Sequence, residues 1–563
     1  MRLLRLDRIP TGITADELDY VFTAKSLYLS GKDLSDTRSL FSLAPASYET
    51  PKAELPYLLL VPFIGPFPFS LFYARVPFVI ANTLLILAIY LITKKFIGPR
   101  AGHIAGILAA INPWFIFFGR TSFDAPLAVM FLYWGIYVLM INNSWRILWS
   151  FPLFAIAFFS YIGIKVVFLP FTLTTIFFSY MFKRRYHIQH AALALICVSL
   201  VGYYVATLGN NPGGSRVGEL FTPNDPMIAA RVETERRATI DTPLEKLFNN
   251  KVVLYGRFIF EKWLNFFSPQ YLFLSGDARS TFSVYQYGVL HYVDIFFVPF
   301  GLIILIYKKR KFGIYLASLL FLAPLPAAVS NVGITYSIRA ALAFPLFIIL
   351  AASGIDSTLS AVKKVSYKKI LAGVIILLYS INLLQFSYIY FTKDPVANSE
   401  SFALSDRVLS RYLHFANEIG KPVLVLSEAP FGVIRNYLFY GDKLNDVTLP
   451  NIAASVQNEV FELAGVRAVR CKDLSVFPVE KDITVIATPG GFCGKEILED
   501  HLSIPLLSDG GEVYWIYRDF VCDGYELKLY PYDVSLGSFE IEKLSREQFC
   551  TTFITNLSPI YAQ

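Results

Sequence analysis

Long runs of apolar residues, separated by short hydrophilic breaks, constrain the fold of this 563-residue chain more than any other feature. An apolar helix of about 20 residues spans the hydrocarbon core of a bilayer. Hydrophobic residues make up 55% of the sequence and charged residues only 17%, which is more apolar surface than a soluble core of this length can bury. The sequence therefore predicts a polytopic α-helical membrane protein with about 10–11 transmembrane helices. The runs cover residues 76–91, 101–118, 125–141, 147–161, 166–182, 191–208, 287–307, 312–329, 340–354 and 370–391.

The basic residues fall in alternate loops between the predicted spans. Because short basic loops stay in the cytoplasm, the other loops and both ends of the chain are predicted to lie outside, with the plasma membrane as the expected location. Membrane orientation then explains the net charge of +7, and nucleic acid is not expected as a partner. The basic breaks are 94–100, 146, 183–185, 308–311 and 363–369, and the outer segments are the amino-terminal segment, 119–124, 210–286, 331–339 and everything after 392.

The start of the chain carries no recognisable export signal, since Met1-Arg-Leu-Leu-Arg-Leu is too short and too charged for one. We therefore expect either that a first helix is missing from this sequence or that the tail is exported with the first span. Residues 55–72, rich in proline and aromatic residues, are expected to lie at the membrane interface rather than to cross the bilayer.

The carboxyl-terminal segment 393–563 has a different pattern from the membrane domain 1–392. A helical stretch at 406–419 alternates with strand-like stretches at 421–427, 483–487 and 512–518, which predicts a soluble α/β domain. Four cysteines lie in this domain without C-x-x-C spacing, so disulfides are favoured over zinc outside the cytoplasm. Of three connectivities, we expect that neighbours pair, Cys471 with Cys493 and Cys522 with Cys550, and that Cys197 only packs within its span.

The pair Asp16-Glu17 lies in the first outer segment, which with the juxtamembrane residues covers 1–75. On a helix, neighbouring side chains diverge by about 100°, so one acid can point into a cavity while the other anchors the loop. The alternative interpretation is that Thr14 caps a helix whose first turn carries both acids, because acids are favoured at that end. The two interpretations are compatible.

Other charged residues lie at the outer ends of the spans. Arg120 and Asp124 are four residues apart and form either an ordinary helical pair or a site for a lipid phosphate. Lys52, close to Glu49, and Arg339 either extend their charged ends toward water or complete a basic set that binds phosphate.

Further along the chain, two acids are interpreted as structural. Asp277 is read as a turn residue, and His291 and Asp294 as a hydrogen-bonded structural pair. The sequence contains no phosphate-cradling glycine-rich loop, H-E-x-x-H or G-x-S-x-G motif.

The first outer segment, with Pro10, Gly12, Asp16-Glu17 and Tyr20, resembles the first-loop motif of GT-C membrane glycosyltransferases. The similarity is strongest to the branch of protein O-mannosyltransferases and aminoarabinose transferases, and it extends over residues 8–355. Lys52 departs from the family pattern, because it follows Glu49 by three residues instead of one. The other segments that resemble this branch are Tyr48-Glu-Thr-Pro-Lys, 101–113, 120–124, 271–277, Gly288, 323–327 and 339–345.

The resemblance implies transfer of a sugar from a polyprenyl-phosphate donor to a protein, lipid or glycan acceptor outside the cytoplasm. Asp16 would be the general base, with Glu17 orienting it or the loop. Phosphate would bind to Arg339, Arg120 and Lys52, with Glu49 beside them, and Asp124 would position the donor or the acceptor. No cofactor is expected to be required, although a divalent cation on Asp16 and Asp124 stays an alternative.

Two other functions compete with this one. A transporter would place acids in mid-span at broken helices, whereas these acids lie at the outer ends of spans. A membrane-anchored binding protein would not need about ten spans. We therefore expect a transferase.

Overall fold

The computed structural model of the protein describes residues 1–34, 52–207, 226–240, 242, 244–330, 335–458, 461–463, 465–471, 482–489, 501–528 and 534–556. Seven helices within these ranges are long and apolar enough to cross a membrane. The chain is therefore an integral membrane protein with a polytopic helical fold, as predicted. The seven candidate spans are Leu71–Phe96, Asp124–Ile141, Ile162–Phe182, Arg184–Thr207, Arg310–Ala328, Ala343–Ala361 and Val365–Ala397.

Each of the ten predicted apolar runs has a helical counterpart, but three of these helices are shorter than a span. The run 101–118 is divided, because Pro113 forces Asn112 into an extended conformation (ψ 139°). The Asn112 side chain then caps the next helix by accepting from the Phe115 N–H at 3.3 Å. Two candidate spans end in a separate short helix, Leu325–Ala328 and Asp394–Ala397. The shorter helices of the membrane domain are Ala15–Ser30, Pro56–Ile64, Pro99–Ile111, Pro113–Phe118, Ser150–Ser160, Pro226–Arg237, Glu245–Phe248, Lys251–Phe266, Asp294–Lys308 and Tyr336–Arg339.

The centre of the bundle is the helix Ala343–Ala361, in which every residue from Ala343 to Ile355 is buried. Two glycines let the helix Asp294–Lys308 pack directly against it. A methyl group on Gly301 would overlap the Leu350 carbonyl, and one on Gly354 would overlap the Phe297 carbonyl. This close backbone contact is typical of membrane helices.

The soluble domain is built on a six-stranded sheet, and the three predicted strands and the predicted helix are all present. The strands are β1 Val423–Leu426, β2 Phe461–Leu463, β3 Val466–Val469, β4 Thr484–Ala487, β5 His501–Pro505 and β6 Glu512–Tyr517. Their order in the sheet is β2-β3-β1-β4-β6-β5, with β1 parallel to β3 and β4 and the other pairs antiparallel. All residues of β1 and β4 are buried, which is typical of parallel strands covered on both faces. The helices of this domain are Leu404–Glu418, Pro430–Tyr440, Leu449–Asn458 and Arg546–Phe553.

One of the two predicted disulfides is confirmed, because Cys522 and Cys550 are bonded. Cys471 is also disulfide-bonded, but its predicted partner Cys493 lies outside the described residues. Cys197 is a buried free thiol within its span, as expected.

The soluble domain docks on the amino-terminal segment at one end of the bundle. Arg407 donates to the Thr11 carbonyl, and the backbone N–H of Phe69 donates to Asp442 at 2.8 Å. Arg8 forms an ion pair with Glu540. These contacts place the soluble domain directly over the segment that carries Asp16 and Glu17.

Candidate active site

The acidic helix, Ala15–Ser30, begins with a capping box that fixes the direction of both acids. The Thr14 hydroxyl accepts from the Glu17 N–H at 3.2 Å, and the Glu17 carboxylate accepts from the Thr14 N–H at 2.9 Å. The other Glu17 oxygen accepts from the Ser122 N–H at 2.5 Å. Glu17 is fully buried, so it ties the acidic helix to the loop before the span Asp124–Ile141. The predicted cap is therefore present, and Glu17 anchors the loop, which is one of the two roles expected for it.

A cavity of about 180 Å³ lies beside the acidic helix at the docked end of the bundle. It brings together four of the predicted site residues, which are Asp16, Lys52, Asp124 and Arg339. The remaining lining residues are Tyr20, Ala53, Phe123, Tyr161, Ile162, Gly163, Arg279, Phe282, Pro326, Ser330, Thr335 and Ile338. Residues more than 300 positions apart in sequence thus line the same cavity.

Asp16 is the most accessible acid of the cavity, with 51% of its side chain exposed. It forms an ion pair with Lys52, whose side chain is 10% exposed and whose Nζ also lies 3.6 Å from Asp19. Asp16, Asp19 and Tyr20 lie on one face of the acidic helix because they are three and four residues apart. That face turns toward the cavity, whereas Glu17 lies about 100° away from Asp16.

Asp124 is held by Tyr20 and not by the arginine predicted to pair with it. The Tyr20 hydroxyl donates to Asp124 Oδ2 at 2.7 Å. Burial, together with the negative charge of Asp124, raises the pKa of Tyr20 well above its ordinary value, so the phenol stays protonated and serves as a donor. Asp124, held in this way, lines the cavity.

Arg120 does not line the cavity, so neither proposed role for it fits the structure. The residue is fully buried, and its guanidinium donates to the Tyr390 hydroxyl and to carbonyls of the amino-terminal segment. The carbonyls belong to Met1, Arg2, Arg5 and Ile9. The sequence spacing to Asp124 was misleading because Phe123 is extended, which ends any helical register between the two residues.

Arg339 is positioned by Asp277, which was predicted to be a turn residue. The Asp277 carboxylate accepts from the N–H groups of Tyr336 and Ser337 at 2.8 and 2.6 Å, at the start of the short helix Tyr336–Arg339. Burial raises the pKa of Asp277, while these hydrogen bonds and the nearby Arg339 charge oppose that shift. Arg339 itself donates to the Ser330 hydroxyl at 2.5 Å at the cavity wall.

Arg279 is a cavity residue that sequence reasoning missed. It lies two positions after Asp277, and this proximity was the only signal in the sequence. Glu49, a further predicted binding residue, lies outside the described residues. His291 and Asp294 form the structural hydrogen bond that was expected, from the His291 N–H to the Asp294 carboxylate at 3.0 Å.

The cavity holds two carboxylates, Asp16 and Asp124, and three cations, Lys52, Arg279 and Arg339. Because the cations outnumber the carboxylates, the cavity favours binding of an anion next to an acidic side chain. Within the described ranges, no group of three or more His, Cys, Asp and Glu side chains is arranged to hold a metal ion. This set of polar groups therefore suits phosphate binding together with proton transfer.

Comparison with known proteins gives one family match, over residues 63–204, to the family described as dolichyl-phosphate-mannose-protein mannosyltransferase. None of the curated proteins matches the sequence. Over the residues it covers, the family match confirms the resemblance to GT-C membrane glycosyltransferases seen in the sequence.

Comparison with solved structures gives matches at low sequence identity, of which three are reported. ArnT from Cupriavidus metallidurans in the apo state is 12% identical with a TM-score of 0.48, over 91% of this chain and 96% of that one. ArnT bound to undecaprenyl phosphate is 12% identical with a TM-score of 0.45 over the same shares, 91% and 96%. The archaeal oligosaccharyltransferase AglB from Archaeoglobus fulgidus is 10% identical with a TM-score of 0.39, over 85% of this chain and 66% of that one.

Proposed function

We propose that the chain is an integral-membrane glycosyltransferase that moves a hexosyl or pentosyl group from a polyprenyl-phosphate donor to an acceptor on the extracytoplasmic side. The observation that carries the proposal is the cavity in which Asp16 and Asp124 lie with Lys52, Arg279 and Arg339. The family match over residues 63–204 supports the reaction class.

The three cations suit the phosphate of the donor. When the bond between the sugar and the phosphate breaks, the departing polyprenyl phosphate gains negative charge. Guanidinium and ammonium groups already in place stabilise that charge without reorganising. Arg279 and Arg339 can each donate two parallel hydrogen bonds to phosphate oxygens, while Lys52 acts as a point charge.

Asp16 suits the role of general base. An acceptor hydroxyl oxygen attacks the anomeric carbon, its proton passes to the Asp16 carboxylate, and the carbon–oxygen bond to phosphate breaks on the opposite side of the sugar. Asp16 is accessible, whereas the other acid of the acidic helix, Glu17, is enclosed by backbone donors. Lys52, paired with Asp16, fixes the orientation of this carboxylate, and its remaining ammonium hydrogens can donate to the phosphate of the donor.

Asp124 suits a positioning role in the same reaction. Tyr20 fixes one of its oxygens, and the other can accept a hydrogen bond from a sugar or acceptor hydroxyl. Its place at the start of the span Asp124–Ile141 gives it a rigid backbone, as precise positioning requires. The reaction in this proposal uses the three cations in place of a metal.

The test is the substitution Asp16→Asn in membranes or purified protein, assayed for transfer from labelled polyprenyl-phosphate sugars. Loss of a general base lowers the rate by about 10²–10⁴-fold. Asp7→Asn is the matched control, because Asp7 is 49% exposed and lies in the same segment but outside the cavity. Unchanged transfer by D16N would remove Asp16 as the base, and no transfer from any such donor by the unsubstituted protein would refute the proposed function.

A further inference from the structure

One arginine of the soluble domain, Arg435, contacts the acidic helix beside the cavity. It lies on the helix Pro430–Tyr440, which packs against the acidic helix. Arg435 forms an ion pair with Asp19, and the two side chains are only 6% and 12% exposed. A pair this buried is coupled more strongly than a surface pair.

Asp19 joins this arginine to the candidate active site. Its second carboxylate oxygen lies 3.6 Å from Lys52 Nζ, and Lys52 is paired in turn with Asp16. Arg435, Asp19, Lys52 and Asp16 therefore form a chain of alternating charges, which we call the charge chain. Burial lowers the pKa of Arg435 to about 10 while the Asp16 charge opposes that shift, so Arg435 stays charged at neutral pH and senses Asp16.

The charge chain determines whether Lys52 lies closer to the carboxylate of Asp16 or to that of Asp19. With Arg435 present, the charge of Asp19 is balanced from the soluble domain, and Lys52 stays closer to Asp16. Without Arg435, Asp19 keeps a partly buried negative charge that only a nearby cation can balance. Lys52 is the cation within reach, so it would shift from Asp16 toward Asp19.

Docking of the soluble domain does not depend on Arg435 alone. Arg407 donates to the Thr11 carbonyl, Asp442 accepts from the Phe69 N–H, and Arg8 pairs with Glu540. A substitution at Arg435 therefore leaves several other contacts between the domain and the amino-terminal segment. Its effect on the cavity can be measured in a protein that is still assembled.

We propose that Arg435 is a positioning residue of the soluble domain that, through Asp19, holds Lys52 against Asp16 and so completes the active site. This inference rests on the proposed function for its catalytic meaning. It assigns the soluble domain a part in the transfer reaction without contact between Arg435 and the reacting atoms.

The experiment compares Arg435→Gln, Arg435→Lys, Asp19→Asn and the double variant R435Q/D19N in the full-length protein. Displacement of Lys52 by about 1 Å is expected to lower transfer by R435Q roughly 10- to 100-fold. R435K keeps the charge and should recover most of the activity. The double variant removes the unbalanced Asp19 charge and should transfer better than R435Q, because Lys52 then has only Asp16 to pair with.

The control is Arg546→Gln, since Arg546 lies in the same domain and bonds to Tyr525 at 3.2 Å, away from the cavity. It should leave transfer unchanged. If Arg435 were only structural, D19N would not rescue R435Q, and R435Q/D19N would be at least as impaired as R435Q. That result would overturn the inference.

A second readout separates this inference from the proposed function. The exposed Asp16 carboxylate can be labelled with a water-soluble carbodiimide and an amine, and the modified peptide quantified by mass spectrometry. Labelling of Asp16 should rise in R435Q and return to the unsubstituted level in R435Q/D19N. This pattern in a protein without transferase activity would refute the function but support the charge chain, whereas equal labelling in all variants would overturn the charge chain.

Discussion

The buried ion pair between Glu54 and Lys165 allows a quantitative test of how the cavity wall is held. Glu54 lies two residues after Lys52, and Lys165 lies in the span Ile162–Phe182, whose first residues line the cavity. Lys165 Nζ lies 2.6 and 2.8 Å from the two Glu54 oxygens and donates to the Tyr204 hydroxyl at 3.0 Å. The side chains are 7% and 5% exposed, so this is a desolvated pair.

Removing one partner of this pair should be more costly than removing both. At these distances the attraction of two unit charges is about 6 kcal/mol for an effective dielectric constant of 20. The substitution Glu54→Gln leaves a buried ammonium without its counter-charge, which typically costs about 3–5 kcal/mol of unfolding free energy. Because the amide still accepts one hydrogen bond, we expect about 3 kcal/mol for E54Q. The double variant E54Q/K165M leaves no buried charge and should lose less than about 1.5 kcal/mol.

The free energies can be measured by detergent-titrated unfolding in mixed micelles. The matched control is Glu233→Gln, since Glu233 pairs with Arg237 at the surface, where the side chains are 58% and 78% exposed. Such a pair contributes less than about 0.5 kcal/mol. The assignment of Glu54 and Lys165 as a coupled buried pair would be refuted by either of two results. One is a loss of unfolding free energy in E54Q/K165M equal to the sum of the losses in E54Q and K165M. The other is a loss in E54Q as small as that in E233Q.

Three further predictions concern other parts of the molecule. Burial lowers the pKa of His414 to about 4, so His414 is neutral in the folded soluble domain. The free energy of unfolding should therefore fall by up to about 3 kcal/mol as pH drops from about 6.5 to 4. Chemical denaturation of His414→Gln should show a smaller fall over the same pH range. Asp277→Asn weakens the charged cap on the helix that carries Arg339, so the KM for the lipid donor should rise several-fold, whereas an unchanged KM would separate Arg339 from phosphate binding. Removal of divalent cations with EDTA should leave transfer unchanged if the cavity cations neutralise phosphate, and a loss restored by Mg²⁺ or Mn²⁺ would instead support a metal on Asp16 and Asp124.

The membrane spans and the acidic helix were predictable because their signals are local. Apolar runs report the bilayer directly, and Thr14 followed by Glu17 three residues later is a capping signature. The divergence of Asp16 and Glu17 follows from helix geometry alone. Helix geometry could therefore place one acid toward a cavity and the other toward the loop, whereas the assignment of Asp16 as the base came from the family resemblance.

The remaining parts of the site depend on contacts between distant residues. Arg435 meets Asp19 across more than 400 positions, and Asp277 meets Ser337 across 60. Neither pair produces a pattern in its own segment, so Asp277 reads as a turn residue and Arg435 as one of many charged residues in a soluble helix. Only the fold brings these residues together.

The arginines at this end of the bundle either bind backbone carbonyls or line the cavity. This difference explains why its charge alone led to the prediction that Arg120 binds phosphate. Arg75 donates to the carbonyls of Leu6, Pro10 and Gly12, and Arg120 to those of Met1, Arg2, Arg5 and Ile9. Both guanidiniums are buried and have their donors directed at backbone, so they fix the segment before the acidic helix rather than bind a ligand. Arg279 and Arg339 instead line the cavity. A guanidinium has five donors in a fixed plane, and a chain segment that lacks regular secondary structure has unpaired carbonyls to offer them. An arginine near such a segment is therefore as well suited to hold backbone as to hold phosphate, and the capping box and these two arginines together account for the fixed position of Asp16.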